Sequence, residues 1–257
     1  MKAIIRLLLL AALLISAVTH AEKITIAAAA QLQFAMGELV NSFNTAHPEH
    51  QVVAVYGSSG KLLAQIQQGA PYDLYFSADM DFPRILVNNG FAASVVKHYA
   101  SGRIVLWSAT HDATQLTLES LTDPVFVRIA IANPKHAPYG KRAEEALRAA
   151  GIWSEIQSKI VLGESIAQAT QFIQTGNAQV GIIALSLALD PKLMHQGGYW
   201  LIPKNLHQPL EQGFVITRRA ATSELARQFS DYIFSESAQG ILTRYGYELP
   251  QSSQEGN

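Results

Sequence analysis

Three stretches of this chain place glycine, serine, tyrosine and small residues where an apolar run gives way to a helical pattern. They are Ala28-Ala29-Ala30-Gln31-Leu32, Gly57-Ser58-Ser59-Gly60 and Asn133-Pro134-Lys135-His136-Ala137-Pro138-Tyr139-Gly140. A fourth, Gly163-Glu164-Ser165-Ile166, opens the helical pattern that runs to Thr175. The first turn of a helix leaves amide N–H groups without an intrahelical acceptor and carries roughly half a positive charge. Four such ends, with serine and tyrosine hydroxyls and only Glu164 as an acid, have the chemistry of a small-anion site. Each also has an ordinary reading: Ser58, Ser59 and Ser165 suit the N-cap of any helix, and Tyr139 suits an aromatic packed under a turn. The convergence points to a ligand, because in open α/β sheets the carboxyl ends of the strands face one crevice.

Catalytic chemistry is poorly served. Gly57-Ser58-Ser59-Gly60-Lys61 lacks the four-residue gap of a phosphate loop and the Gly-x-Ser-x-Gly order of a nucleophile elbow. Of eight histidines only His47 and His50 lie close together, flanking a proline in what reads as an exposed loop rather than a zinc site. Asp73, Asp79 and Asp81 read as a strand end and a side-chain cap at the start of a helix rather than as an acid–base cluster. Lys61 and Lys141 read as solvated residues at helix starts. With no cysteine in the chain, disulfides, thiolate metal sites, cysteine nucleophiles and an acylated N-terminal cysteine are all excluded.

The elements that must hold these stretches alternate between strand and helix. Apolar or β-branched runs at 24–28, 51–56, 73–77, 103–108, 129–132, 160–162, 180–184, 199–202 and 213–217 read as strands. Most are followed by helical spacing, as in Met36, Leu39, Val40 and Phe43. That order predicts an α/β protein with mainly parallel sheets covered on both faces. At 257 residues with 49% hydrophobic content, the chain is globular and near the length at which one core divides into two domains. No linker rich in proline or serine is visible, so a hinge is expected inside strand-like segments around Ala100-Ser101-Gly102 and Gln212-Gly213. Nineteen basic residues against 20 acidic ones, a net charge of −1, give no excess for a nucleic-acid partner. Lys2 and Arg6, the apolar run to Val18 and Thr19-His20-Ala21 read as a signal peptide (residues 1–21) cleaved after Ala21. Export without any cysteine to carry a lipid tether implies a periplasmic protein.

In order along the chain, Lys-Ile-Thr-Ile-Ala-Ala-Ala-Ala (23–30), Gly-Ser-Ser-Gly (57–60), Gly-Ala-Pro-Tyr-Asp-Leu-Tyr-Phe-Ser-Ala-Asp (69–79), Asn-Pro-x-x-Ala-Pro-Tyr-Gly (133–140) and Gly-Ile-Ile-Ala (181–184) resemble the periplasmic molybdate-binding proteins of ABC importers. The resemblance implies a two-lobed, type II periplasmic binding protein, with lobe one at 22–101 plus 213–257 and lobe two at 102–212. It implies a non-enzymatic receptor, acting as a monomer without a cofactor, that delivers molybdate or tungstate to a membrane permease. Carried over position by position, its oxyanion shell is Ala30, Gln31, Ser59, Tyr139 and, through its amide, Ile166. Many relatives have Ser, Thr or Asn at the first-loop positions where this chain has Ala30 and Gln31. Others carry a tyrosine in the 181–184 strand, where this chain has Ala184, so the phenol comes from Tyr139. A receptor of the same fold for sulfate, thiosulfate or an organic acid stays open as the alternative, and an exported enzyme as a more distant one.

Overall fold

The computed structural model describes residues 21–250; the expected signal peptide up to residue 20 and the tail 251–257 lie outside them. Two five-stranded sheets carry the chain. In the first, β1 (Lys23–Ala29) pairs in parallel with β2 (Gln51–Gly57) and β3 (Leu74–Ser77). Next to β3 lies β10 (Leu210–Ile216), antiparallel to it and to the edge strand β4 (Lys97–Gly102). The second sheet repeats the plan. Here β6 (Ile129–Ala132) lies parallel to β7 (Ile160–Gly163) and β8 (Val180–Ala184), and β5 (Ile104–Trp107) runs antiparallel to β8 and to β9 (Tyr199–Leu201).

The expected mainly parallel sheets are therefore mixed, with two parallel and two antiparallel pairings in each. Burial on both faces makes a strand apolar throughout but leaves its direction open. Direction is set by the two chain crossings, β4 to β5 and β9 to β10, which bring β10 in against the sense of its neighbours. The final strand also begins at Leu210, three residues ahead of the apolar run read at 213–217. Leu210-Glu211-Gln212 and the polar β4 (KHYASG) pair through Leu210↔Gly102 and Gln212↔Ala100, a match that neither segment's composition announces.

Alternation along the strands sorts residues to two cores. Ile24, Ile26, Leu74, Phe76, Phe214 and Ile216 pack on one face of the first sheet with Leu39 and Phe43 of α1 (Gln33–Ala46). Ala27, Tyr75 and Val215 face the other way, onto Leu62, Leu63 and Ile66 of α2 (Ser59–Gln67) and Leu86 of α3 (Asp81–Asn88). The register places Phe214 opposite Phe76, and the two rings stack at 4.4 Å. The second sheet is covered by α4 (Pro138–Ala149), the short α5 (Trp153–Ile156), α6 (Ile166–Gln174) and α7 (Leu185–Ala188). After β10 the chain returns to the first sheet's core with α8 (Glu224–Tyr232) and α9 (Glu236–Arg244).

Candidate functional site

The four junctions singled out by sequence meet between the two sheets. Ala30, Gln31, Ser59, Tyr139 and Ile166 line one small cavity together with Gly57, Ser58, Ala137 and Pro138. Its volume is about 10 Å³, close to the room of a single water centre and too small for a sugar or peptide. A larger cavity of about 310 Å³, beside Tyr72, Phe91 and Arg218, is lined by one lobe alone.

Each wall is a strand end turning into a helix. Ala30 and Gln31 form a 3-10 turn between β1 and α1, without a side-chain cap. Ser59 opens α2, where neither Ser58 nor Ser59 caps the helix. The N-cap reading fails there because both hydroxyls are engaged elsewhere. Ser58 Oγ lies 2.9 Å from His136 Nδ1, and Ser59 Oγ accepts the Ala78 N–H at 3.1 Å. Ser59 Oγ donates to no protein acceptor among the described residues, so its proton is uncommitted. Tyr139 follows Pro138 at the start of α4, which also lacks a side-chain cap. Proline donates no N–H and suits that first position. Ser165 does cap α6, accepting from the Gln168 N–H, so the ordinary reading holds for that serine while Ile166 next to it faces the cavity.

No Asp, Glu, Lys or Arg lines the space. Tyr139 is 2% exposed; burial, and then neighbouring Tyr247, push its phenol well above the ordinary value of 10. The phenol therefore stays protonated and neutral at any physiological pH. Its oxygen accepts from Gln212 Nε2 at 3.0 Å. Gln31 is turned aside: Nε2 donates to Gln212 Oε1 at 3.0 Å, while its backbone carbonyl accepts from Ser186 Oγ at 2.9 Å and Tyr247 OH at 3.2 Å. Sequence reading missed Gln212, Tyr99 and Tyr247 as members of this network. The one signal was Gln212-Gly213 as a hinge candidate.

The lobes touch around the cavity. The Gly60 N–H donates to the His136 carbonyl at 2.9 Å, and a Cβ at Gly60 would lie 3.0 Å from both that oxygen and His136 Cβ. The second glycine of Gly-Ser-Ser-Gly thus serves close approach across the cleft. Lys61, expected to be solvated, is exposed yet pairs with Glu164 of the other lobe, which draws the Glu164 carboxyl below the usual range. Arg142 Nη2 reaches Asp79 Oδ2 at 3.4 Å. Asp79 Oδ1 accepts the Asp81 N–H at the start of α3, and Asp73 pairs with Arg219, so the three aspartates do not form a cluster. His47 stacks on Phe43, and His50 accepts from the Glu22 N–H. Among the described residues no group of three or more metal-ligating side chains converges.

With this geometry in place, the chain's relationships are clear. Residues 24–248 match the sequence profile of the bacterial extracellular solute-binding proteins. The chain belongs to that family. It is 33% identical over 237 residues to the molybdate-binding protein ModA of Azotobacter vinelandii, covering 92% of this chain and 94% of the relative. To ModA of Rhodobacter capsulatus it is 35% identical over 200 residues, 77% of each. The solved periplasmic molybdate-binding protein of Azotobacter vinelandii superposes with a TM-score of 0.84 at 34% identity, covering 89% of this chain and all of that one. This solute-binding chain thus has the two-lobed α/β fold of a periplasmic binding protein.

Proposed function

We propose that this solute-binding protein captures molybdate, or tungstate, in the periplasm and delivers it to the membrane permease of an ABC importer. The observation that carries the reading is a cavity of ionic size, lined by Ala30, Gln31, Ser59, Tyr139 and Ile166, with hydroxyls and helix-start amides and without a carboxylate. Molybdate and tungstate are fully deprotonated tetrahedral dianions at neutral pH. They need donors on every side and no acceptor, and hydrogen bonds to the charged ligand offset its desolvation. A cage of neutral dipoles does this without a counter-ion. Names of relatives agree: two are molybdate-binding proteins, and a Bacillus subtilis one is a putative ABC transporter substrate-binding lipoprotein. This chain has no cysteine to acylate, which supports a free periplasmic form. Among the described residues no helix is long and apolar enough to cross a membrane.

The division into two sheets, β1–β4 with β10 and β5–β9, supports two lobes that part near residues 101–102 and again near 210–213, in line with lobes at 22–101 plus 213–257 and at 102–212. The match to solute-binding proteins supports a site that binds rather than transforms, with the Ser58–His136 pair read as a contact between the lobes. Melting the protein with molybdate, tungstate, sulfate, thiosulfate and phosphate tests the reading, since a tight ligand stabilises by RT ln(1 + [L]/Kd). Large shifts with molybdate and tungstate are expected. A larger shift with sulfate or thiosulfate would assign the same-fold alternative, and no shift with any oxyanion would reject the site.

A further inference from the structure

Gln212 is fully buried on β10, at the bulge where that strand slips against β4 between Gln212 and Gly213. Its Oε1 accepts from Tyr99 OH at 2.7 Å and from Gln31 Nε2 at 3.0 Å, while its Nε2 donates to Tyr139 Oη at 3.0 Å. Gly102 makes room for this meeting. A Cβ there would lie 2.1 Å from Tyr139 Oη and 2.4 Å from Gln212 Nε2. A side-chain amide is a donor at one end and an acceptor at the other, whereas a phenol can play either part. The polarity of Gln212 therefore dictates what Tyr139 offers to the cavity.

We propose that Gln212 is a positioning residue for oxyanion selectivity: by donating to Tyr139 Oη, it turns the phenol proton toward the anion. The proposal rests on the reading of Tyr139 as a ligand donor and names the residue that makes it one. With the opposite polarity Tyr139 would donate to Gln212 and present a lone pair. A lone pair suits a protonated oxyanion such as monohydrogen phosphate and repels one that is fully deprotonated, such as molybdate. Tyr99 holds the productive polarity, because burial keeps its phenol protonated and its proton goes to Gln212 Oε1. Gln31, Tyr99 and Gln212 belong to the first sheet's lobe and Tyr139 to the second, so the direction is set only when the lobes meet.

A double-mutant cycle on molybdate Kd tests this. Met matches the length of Gln without its hydrogen-bonding atoms. Gln212→Met should weaken molybdate at least tenfold while leaving phosphate affinity unchanged or higher. Tyr139→Phe should weaken molybdate at least tenfold in the native background and less than threefold in Gln212→Met. An equal factor in both backgrounds overturns the proposal, since a residue that only supports the fold leaves Tyr139's contribution intact. Should Gln212→Met not fold, Gln212→Glu replaces it: a carboxylate only accepts and must take the Tyr139 proton, so Tyr139→Phe should again lose its effect. If Tyr139→Phe leaves the native Kd unchanged, the ligand role of Tyr139 itself is refuted.

Discussion

Replacing Ser59 by alanine separates a ligand donor from a structural acceptor. Ser59 is 1% exposed; its Oγ accepts the Ala78 N–H at 3.1 Å and its carbonyl accepts Tyr75 OH at 2.8 Å. Ser59→Ala removes the hydroxyl proton offered to the anion and strips the Ala78 amide of its acceptor. The first loss is a hydrogen bond to a charged group, about 1.5–3 kcal/mol, or roughly 10- to 150-fold in Kd. The second acts on the ligand-free protein, where an unsatisfied buried N–H costs about 1–3 kcal/mol. For a chain of this size that is roughly 2–4 °C in Tm per kcal/mol. Ser59 and Ala78 lie on the same lobe, so the stability cost is common to free and bound protein and cancels from Kd. Titration calorimetry with molybdate reads the first effect and scanning calorimetry of the ligand-free protein reads the second. A lowered Tm with an unchanged Kd would refute the donor assignment and leave Ser59 as a brace for Ala78.

The contacts around the cleft make further predictions. Gly60→Ala puts a Cβ 3.0 Å from the His136 carbonyl, and overpacking of about 1–3 kcal/mol should weaken anion binding with little change in far-UV circular dichroism; an unaltered Kd would show that the 133–140 loop yields freely. His136 is held below its ordinary value of 6.5 first by burial and then by Lys61, against the pull of Glu164. A depressed histidine favours the neutral ring in the closed form, so closure is fully stable above about pH 6.5 and weakens below it, by at most tenfold in Kd per pH unit for one proton. Calorimetry from pH 7.5 to 5.5 on the native protein and His136→Asn checks this, and an equal slope in both would clear His136. Ligand should also favour the closed form over an open one, and small-angle scattering should show a smaller radius of gyration with saturating molybdate than without; identical radii would mean a rigid site.

Much of this protein was legible in its residues because the signals are local. Apolar runs of strand length, helical spacing after them and small or hydroxyl residues at the junctions determine the α/β class and the four loop ends. The motif resemblance at 57–60, 69–79 and 133–140 determines the family. What sequence left undecided involves contacts distant along the chain. Strand direction is one case: β10 and β4 run antiparallel to their neighbours although Phe214 and Val215 look like any doubly buried strand residues. Serine chemistry is another, since Ser165 caps its helix while Ser58 and Ser59 do not, a difference made by His136 and Ala78. The polarity of the cage is a third. Gln212 lies 181 residues from Gln31 and 73 from Tyr139, and only the packing of two lobes brings their side chains together. Sequence fixes which groups can donate or accept; whether a hydroxyl is free to do so depends on what already occupies its lone pairs, and tertiary structure alone assigns that.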